Sequence, residues 1–168
     1  MGVTIHFEGQ LKSNADYDKV MMIAKAFAEE NNMVFSFFEA TDKLLQRVKD
    51  DEDWDYVGPT KGINIQPHEF TDPLLLEFDE QNYLQEYCKT QFSDTLTHIK
   101  IISLLKQIQD CFIDLQVTDE GEYWEAGDAE LLAQHFYHCF LDMEIAIKEN
   151  PELNGPYRVE DGRIIDLM

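Results

Sequence analysis

Apolar and polar positions in the first part of the chain alternate in patterns typical of strands and helices. Val3–Phe7 alternates apolar with polar side chains, which predicts a half-buried strand. After N-capping residues at 13–16, apolar side chains recur at three- and four-residue spacings from Tyr17 to Ala28. This spacing predicts an amphipathic helix that ends near Asn31 and Asn32. The aromatic-rich stretch Met33–Phe38 predicts a second strand.

The next stretch is acidic and contains turn residues. Leu44, Leu45 and Val48 have helical spacing, so Asp42–Lys49 predicts a short helix. The carboxylates of Asp50–Asp55 predict an acidic turn. Tyr56–Gln66 predicts a strand that is interrupted at its Gly-Pro pair, residues 58 and 59.

The second half begins with a predicted hairpin and continues into a long helix. Leu74–Phe78 and Tyr83–Phe92 have strand character and are joined across residues 79–82, which predicts a β-hairpin. Ser93 or Asp94 then caps a helix whose apolar stripe runs on to position 112.

The last part repeats this mixture of strands and helices. Leu115–Val117 predicts a short strand, and the residues after Asp128 predict a helix that stops before Pro151. Two short apolar runs, 157–159 and 164–165, flank Asp-Gly at 161–162, which predicts a hairpin. The elements together predict a single α+β domain over residues 1–168, with a mainly antiparallel sheet and about three main helices packed on one face.

The charge of the chain changes which partners are expected. The 168 residues include 34 Asp and Glu against 13 Lys and Arg, a net charge of −21. Nucleic-acid surfaces and anionic membranes require clustered bases, so we expect neither as a partner. The apolar fraction of 44% excludes a disordered chain.

The cysteines and the N-terminal residues bear on the compartment. No basic start followed by an apolar stretch is visible, and no run approaches the ~20 apolar residues of a membrane-spanning helix. Cys88, Cys111 and Cys139 are odd in number and widely spaced, unlike a disulfide framework or a CxxC pair. We therefore expect a cytoplasmic protein with reduced thiols and no cofactor.

Residues 119–125 are the strongest candidate for chemistry, because four carboxylates and two aromatic rings fall within seven positions. In an extended backbone Asp119 and Tyr123 share a face with Glu125, and the other face carries Glu120, Glu122 and Trp124. Carboxylates beside a tryptophan suit acid–base chemistry or a hard cation. The alternative is a solvated acidic loop whose aromatic rings point inward.

Three other patterns are weaker. His135 and His138 have a spacing that could share a metal ion, but HExxH is absent. Residues 51–55 resemble the start of a calcium loop, but its sixth and twelfth positions are Tyr56 and Gly62 rather than Gly and Glu. Cys88 could be a nucleophile with His98 as its base, although a structural thiol is the default interpretation.

Three segments together resemble an uncharacterised family of small bacterial proteins. They are TIHFEG at 4–9, KTQF at 89–92 and DEGEYWE at 119–125. The resemblance implies a bacterial origin and points to these segments as the place to look for a site. If they converge, they form one polar cleft lined by Glu8, Lys89, Thr90, Gln91, His98, Asp119, Glu120, Glu122, Tyr123, Trp124 and Glu125.

Two functions stay open at this point, with a third interpretation beside them. The first is an acidic binding protein, similar to an immunity protein or an inhibitor, that meets a basic protein partner. The second is a hydrolase or a metal-assisted acid–base enzyme that uses the carboxylates of residues 119–125. A homo-oligomer is the third, because Phe35, Phe37 and Phe38 cannot all face one side of a strand.

Overall fold

The computed structural model describes residues 2–168 and confirms an α+β fold. Its elements, in chain order, are β1 (Thr4–Gln10), α1 (Asn14–Glu30), β2 (Val34–Lys49), β3 (Glu52–Gln66), β4 (Leu74–Phe78), β5 (Tyr83–Lys89), α2 (Thr95–Ile108), β6 (Gln116–Asp119), α3 (Tyr123–Ala126), α4 (Ala129–Glu149), β7 (Tyr157–Arg158) and β8 (Ile164–Ile165). Ser13, Asp94 and Asp128 cap α1, α2 and α4 through their side chains, because each accepts an N–H of the first turn.

The strands form three antiparallel sheets. The first has the order β5-β1-β6, the second β2-β3-β4, and β7 and β8 pair with each other as the sequence predicts. The predicted pairing of β4 with β5 is wrong, because these strands are edges of different sheets. The turn between them is closed by Asp79, whose carboxylate accepts the N–H groups of Gln81 and Tyr83. From this turn the strands diverge, because β5 pairs with β1.

The predicted helix over Asp42–Lys49 is also wrong, since β2 continues through it. Leu44 pairs with Val57 and Leu45 with Tyr56, so the apolar side chains divide between two faces of a ribbon. A register shift between Ala40 and Lys43 accommodates the Gly-Pro pair of β3, which therefore does not interrupt the strand. The predicted acidic turn shortens to residues 50 and 51.

Beyond this shift, β2 and β3 pair only with each other, because β4 reaches no farther than Lys61. We call residues 43–58 the arm. Its β2 edge is attached to the first sheet by Gln85, whose side-chain amide donates to the carbonyl oxygen of Val48 at 2.6 Å and accepts the N–H of Val48 at 3.0 Å. The arm therefore lies over the first sheet with one face turned to solvent.

One hydrophobic core joins the first two sheets to α1 and α2. Its fully buried side chains include Ile5 and Phe7 of β1, Ile63 of β3 and Leu104 of α2. A smaller cluster fixes α4 to the rest through Leu132, Phe136 and Cys139. Phe35 packs on the core, and Phe37, two residues along the same face of β2, is exposed and meets the Phe35 ring edge-on at 6.0 Å between centroids. Alternation along β2 places Phe38 on the other face. No helix within residues 2–168 is both long and apolar enough to cross a membrane.

Candidate functional site

The segment 119–125 is not extended, so its predicted division into two faces is wrong. Asp119 ends β6, and its carboxylate accepts the N–H groups of Gly121 (2.8 Å), Tyr123 (2.9 Å) and Trp124 (2.9 Å). These bonds fold the chain around the carboxylate and lead into the single turn of α3. Asp119 therefore organises this segment from inside the protein.

A buried network connects Asp119 to α2 and to the end of β5. The His98 Nε2 atom lies 3.0 Å from the Asp119 carboxylate, and its Nδ1 atom lies 2.7 Å from the Thr90 hydroxyl. The order hydroxyl, imidazole and carboxylate is that of a hydrolase triad. However, the exposed fractions of Thr90 and His98 are both 0%, so no substrate reaches the hydroxyl. The Asp119 network, defined as Thr90, His98 and Asp119, is consequently a structural tie.

The charge state of Asp119 agrees with this role. Burial raises the pKa of Asp119, but the hydrogen bond and charge of His98 and the N–H groups of Trp124 and Gly121 lower it more. The net effect is a pKa below the usual value. A carboxylate that stays ionised cannot act as a general acid near neutral pH.

The other predicted site residues of this region do not enter the network. Glu120 and Glu122 are exposed and contact His6 (3.7 Å) and His135 (2.7 Å), and Glu125 is exposed as well. Tyr123 and Trp124 pack on the core, as the alternative interpretation expected. Lys106 lies over the Trp124 ring at 4.1 Å from its centroid.

The remaining predicted residues lie at separate places. Gln91 is buried and accepts the N–H of Val3 at 2.8 Å. Glu8 lies on β1 and accepts hydrogen bonds from the Tyr83 hydroxyl (2.7 Å) and from Gln85 (2.9 Å). Lys89 pairs with Asp166 at 2.5 Å. The structure thus brings together Thr90, His98 and Asp119, and does not gather all eleven residues in one cleft.

The structure also places the residues of the three weaker sequence motifs. His135 contacts Glu122, and His138 is exposed on α4. Residues 52–55 belong to β3 and do not form a calcium loop. Burial raises the pKa of the Cys88 thiol far above its usual value, so it is no thiolate nucleophile. Within residues 2–168, no group of three His, Cys, Asp or Glu side chains is placed to hold a metal ion.

A cleft that the sequence does not predict lies between the arm, β4, β5 and residues 150–168, which we call the tail. Its volume is about 640 Å³. Three of the chain's 13 Lys and Arg residues line it, and three carboxylates face them. The charged lining residues are Lys43, Arg47, Arg163, Glu77, Glu86 and Asp161. The cleft is therefore a concentration of paired charge in an otherwise acidic protein.

Arg163 of the tail is held by β5 and by the loop before β4. Its guanidinium stacks on the Tyr87 ring at 3.8 Å from the centroid and donates to the Tyr87 carbonyl oxygen at 2.7 Å. It also donates to Glu86 at 3.1 Å and lies 3.6 Å from Asp72. Both carboxylates are buried, so this contact combines aromatic stacking with two desolvated ion pairs.

Arg47 of the arm occupies a similar position one step along β5. Its guanidinium donates to the carbonyl oxygens of Gln85 (3.3 Å) and Tyr83 (3.4 Å) and lies over the Tyr83 ring at 5.2 Å from its centroid. Asp79 is its ion-pair partner at 3.7 Å. The outer edge of β5, which lacks a strand partner, is thus covered by two arginines.

Glu86 is the carboxylate most affected by this environment. Burial raises its pKa to about 7, with Glu77 adding to the rise while Arg163 and Arg47 oppose it. The available signal in the sequence is alternation, which places Glu86 on the same strand face as the apolar Leu84 and Cys88. Alternation alone indicates burial at such a position, but not the partner that makes burial tolerable.

The solvent face of the arm combines aliphatic side chains with carboxylates. Leu44 pairs with Val57, and Val48 pairs with Asp53. The exposed fractions are 56% for Leu44, 58% for Val48 and 67% for Val57. Asp55, opposite Gln46, belongs to the same face, which carries no base. We call these residues the arm face.

Comparison with protein-family models, with curated proteins and with solved structures finds no match for the chain. The resemblance of the three segments to a bacterial family stays a prediction. The geometry of the chain itself is therefore the basis for its proposed function.

Proposed function

We propose that the protein is a non-enzymatic binding protein of the cytoplasm that uses the arm face to dock on a basic protein partner, in the manner of an immunity protein or an inhibitor. The observation that carries the proposal is the exposure of Leu44, Val48 and Val57 on one face beside Asp53 and Asp55. Aliphatic side chains supply contact area, and carboxylates around them select a positive surface.

Two properties of the whole chain, its charge and its cysteines, also support this proposal. Its charge of −21 would accelerate encounters with a basic protein at low salt. The three cysteines within the described residues are free and buried, which favours a reducing compartment. Nucleic acid and membrane are not expected partners of such a surface.

The alternative, a hydrolase or metal-assisted acid–base enzyme at residues 119–125, receives less support. Asp119 is committed to His98 and to three backbone N–H groups. Glu120, Glu122 and Glu125 are exposed on the surface rather than directed into a shared pocket with it.

The proposal is tested by placing a photo-reactive amino acid at position 57 and, as a control, at position 145 of α4, which is also more than half exposed. Cross-linking in source-cell lysate at low salt identifies proteins captured from position 57 alone. The purified partner is then titrated against Leu44→Ser, Asp53→Asn and Ile145→Ser variants. A basic partner that loses affinity for the first two variants only would support the proposal. Equal affinity for all three would refute it.

A further inference from the structure

The Arg163 contact is a preformed receptor for a guanidinium group. It consists of the Tyr87 ring, the Tyr87 carbonyl oxygen and the buried carboxylates of Glu86 and Asp72. The carboxylates belong to β5 and to the loop that β5 fixes, since Asp72 accepts the N–H of Lys89 at 3.0 Å. The receptor is therefore built on the core, whereas its occupant belongs to the tail.

The tail is attached mainly through polar contacts. Ile164 is its one buried side chain within residues 150–168, and β7 and β8 have two residues each. Lys89 holds Asp166, and Asp72 accepts the N–H of Ile164. Little apolar packing fixes the tail in place. If another guanidinium took the position of the Arg163 guanidinium, the loss of apolar packing would therefore be small.

The buried carboxylates of the cleft are not all paired with a close cation, even with Arg163 in place. Glu86 and Glu77 are both buried there, and Lys43 reaches Glu77 only at 3.8 Å. Glu77 accepts the Thr60 hydroxyl at 2.7 Å, so its charge is met by a neutral donor and a more distant ammonium rather than by a close cation.

We propose that this receptor binds the guanidinium of an arginine carried by the basic partner, and that Arg163 occupies the position as an intramolecular substitute until the partner binds. The inference rests on the proposed function, because a partner held on the arm has a high effective concentration at the cleft. Gln46 of the arm face and Lys43 and Arg47 of the opposite face of the arm all line the cleft, so the docking surface adjoins the cleft.

The receptor selects arginine over lysine. A planar guanidinium can stack on the Tyr87 ring while it donates in its own plane to the carbonyl oxygen and to Glu86. An ammonium is a compact, strongly hydrated charge and cannot make the stacking contact and both bonds together. Preference for arginine at equal ligand charge is therefore the signature of this site.

The test uses the full chain as wild type, Arg163→Ala and Arg163→Lys, with argininamide and lysinamide as probes at pH 8 and low salt. Calorimetric titration of Arg163→Ala should show argininamide binding about tenfold more tightly than lysinamide. The preference should disappear in Tyr87→Ala/Arg163→Ala. If Arg163→Ala does not fold, Arg163→Lys serves, since a lysine occupant should be displaced by argininamide. If the folded variant bound argininamide and lysinamide equally, the proposal that this site is an arginine receptor would be refuted.

Displacement in the wild type is tested with two peptides of equal length and charge, one containing arginine and one lysine. We expect wild type to prefer the arginine peptide and Arg163→Ala to show a stronger preference. If wild type showed no preference for the arginine peptide, the proposal that a partner's arginine displaces the Arg163 side chain would be refuted. Leu44→Ser in the Arg163→Ala background should leave argininamide binding unchanged, so failure of the arm proposal and failure of the receptor are separate results.

Discussion

The His98 Nε2 atom lies 3.0 Å from the Asp119 carboxylate in a site closed to solvent. The same carboxylate holds three backbone N–H groups of the following turn. Removing its charge therefore leaves several buried donors weakly partnered. Such losses are costly because the orphaned groups cannot turn to water.

Asp119→Asn should destabilise the protein by about 2–4 kcal/mol at pH 7, because a charged acceptor of buried N–H groups is lost. Urea unfolding measures the change, with exposed Glu120→Gln as the control within about 0.5 kcal/mol of wild type. The folded pKa of Asp119 is depressed, so its contribution is present above the unfolded pKa and is lost as pH falls through the folded pKa. A difference that stays constant down to acid pH would contradict this assignment.

The sequence predicts much of the fold because side-chain periodicity reports burial directly. The helices at α1, α2 and α4 and the C-terminal hairpin follow from spacing and from caps such as Asp94 and Asp128. Over residues 42–49, Leu44, Leu45 and Val48 satisfy helical spacing and also fit a ribbon. Pairing with β3, a long-range event, decides between the two.

The sites depend on contacts that are distant in sequence and are harder to predict. Arg163 and Glu86 are 77 residues apart, and nothing local in either segment indicates their contact. The sequence predicts His98 and Asp119 as site residues, but their burial depends on long-range contacts with each other and with Phe136 of α4. A polar residue type therefore indicates an important position, but it does not show whether the side chain at that position faces a ligand or the core.

Glu86 should make stability depend on pH in the direction opposite to Asp119. Its folded pKa of about 7 lies above its ordinary value of 4.5, so the folded state holds the extra proton and stability falls as pH rises between these values. Glu86→Gln should flatten this slope and raise stability at pH 8 by about 1–3 kcal/mol. Thermal unfolding from pH 5 to pH 8 measures both. Parallel pH profiles for wild type and Glu86→Gln would show that Glu86 does not titrate in this range.

Gly121 is confined by the Asp119 network. A Cβ atom at this position would lie 2.5 Å from Leu132 Cδ1 and 3.2 Å from both the Asp119 carboxylate and the His98 ring. Gly121→Ala should therefore cost about 1–3 kcal/mol through overpacking.

Leu132→Ala provides the control for this prediction, since it removes the nearest obstructing atoms. In that background the additional cost of Gly121→Ala should be smaller, and a double-mutant cycle from urea unfolding measures the difference. Additive costs would mean that the clash with Leu132 is not the cause.

The arm face should matter for association and little for folding. Leu44 and Val57 are more than half exposed, so Leu44→Ser and Val57→Ser should each change the free energy of unfolding by about 0.5 kcal/mol or less. Asp53→Asn with Asp55→Asn should slow association with the basic partner and weaken its dependence on salt, because rim charges act mainly on the association rate. Stopped-flow or surface-binding kinetics at two salt concentrations measure this effect. The matched control is Glu144→Gln with Glu149→Gln on α4, which removes the same charge from another exposed surface. If both pairs slow association equally, the effect comes from net charge and the arm face is not the docking surface.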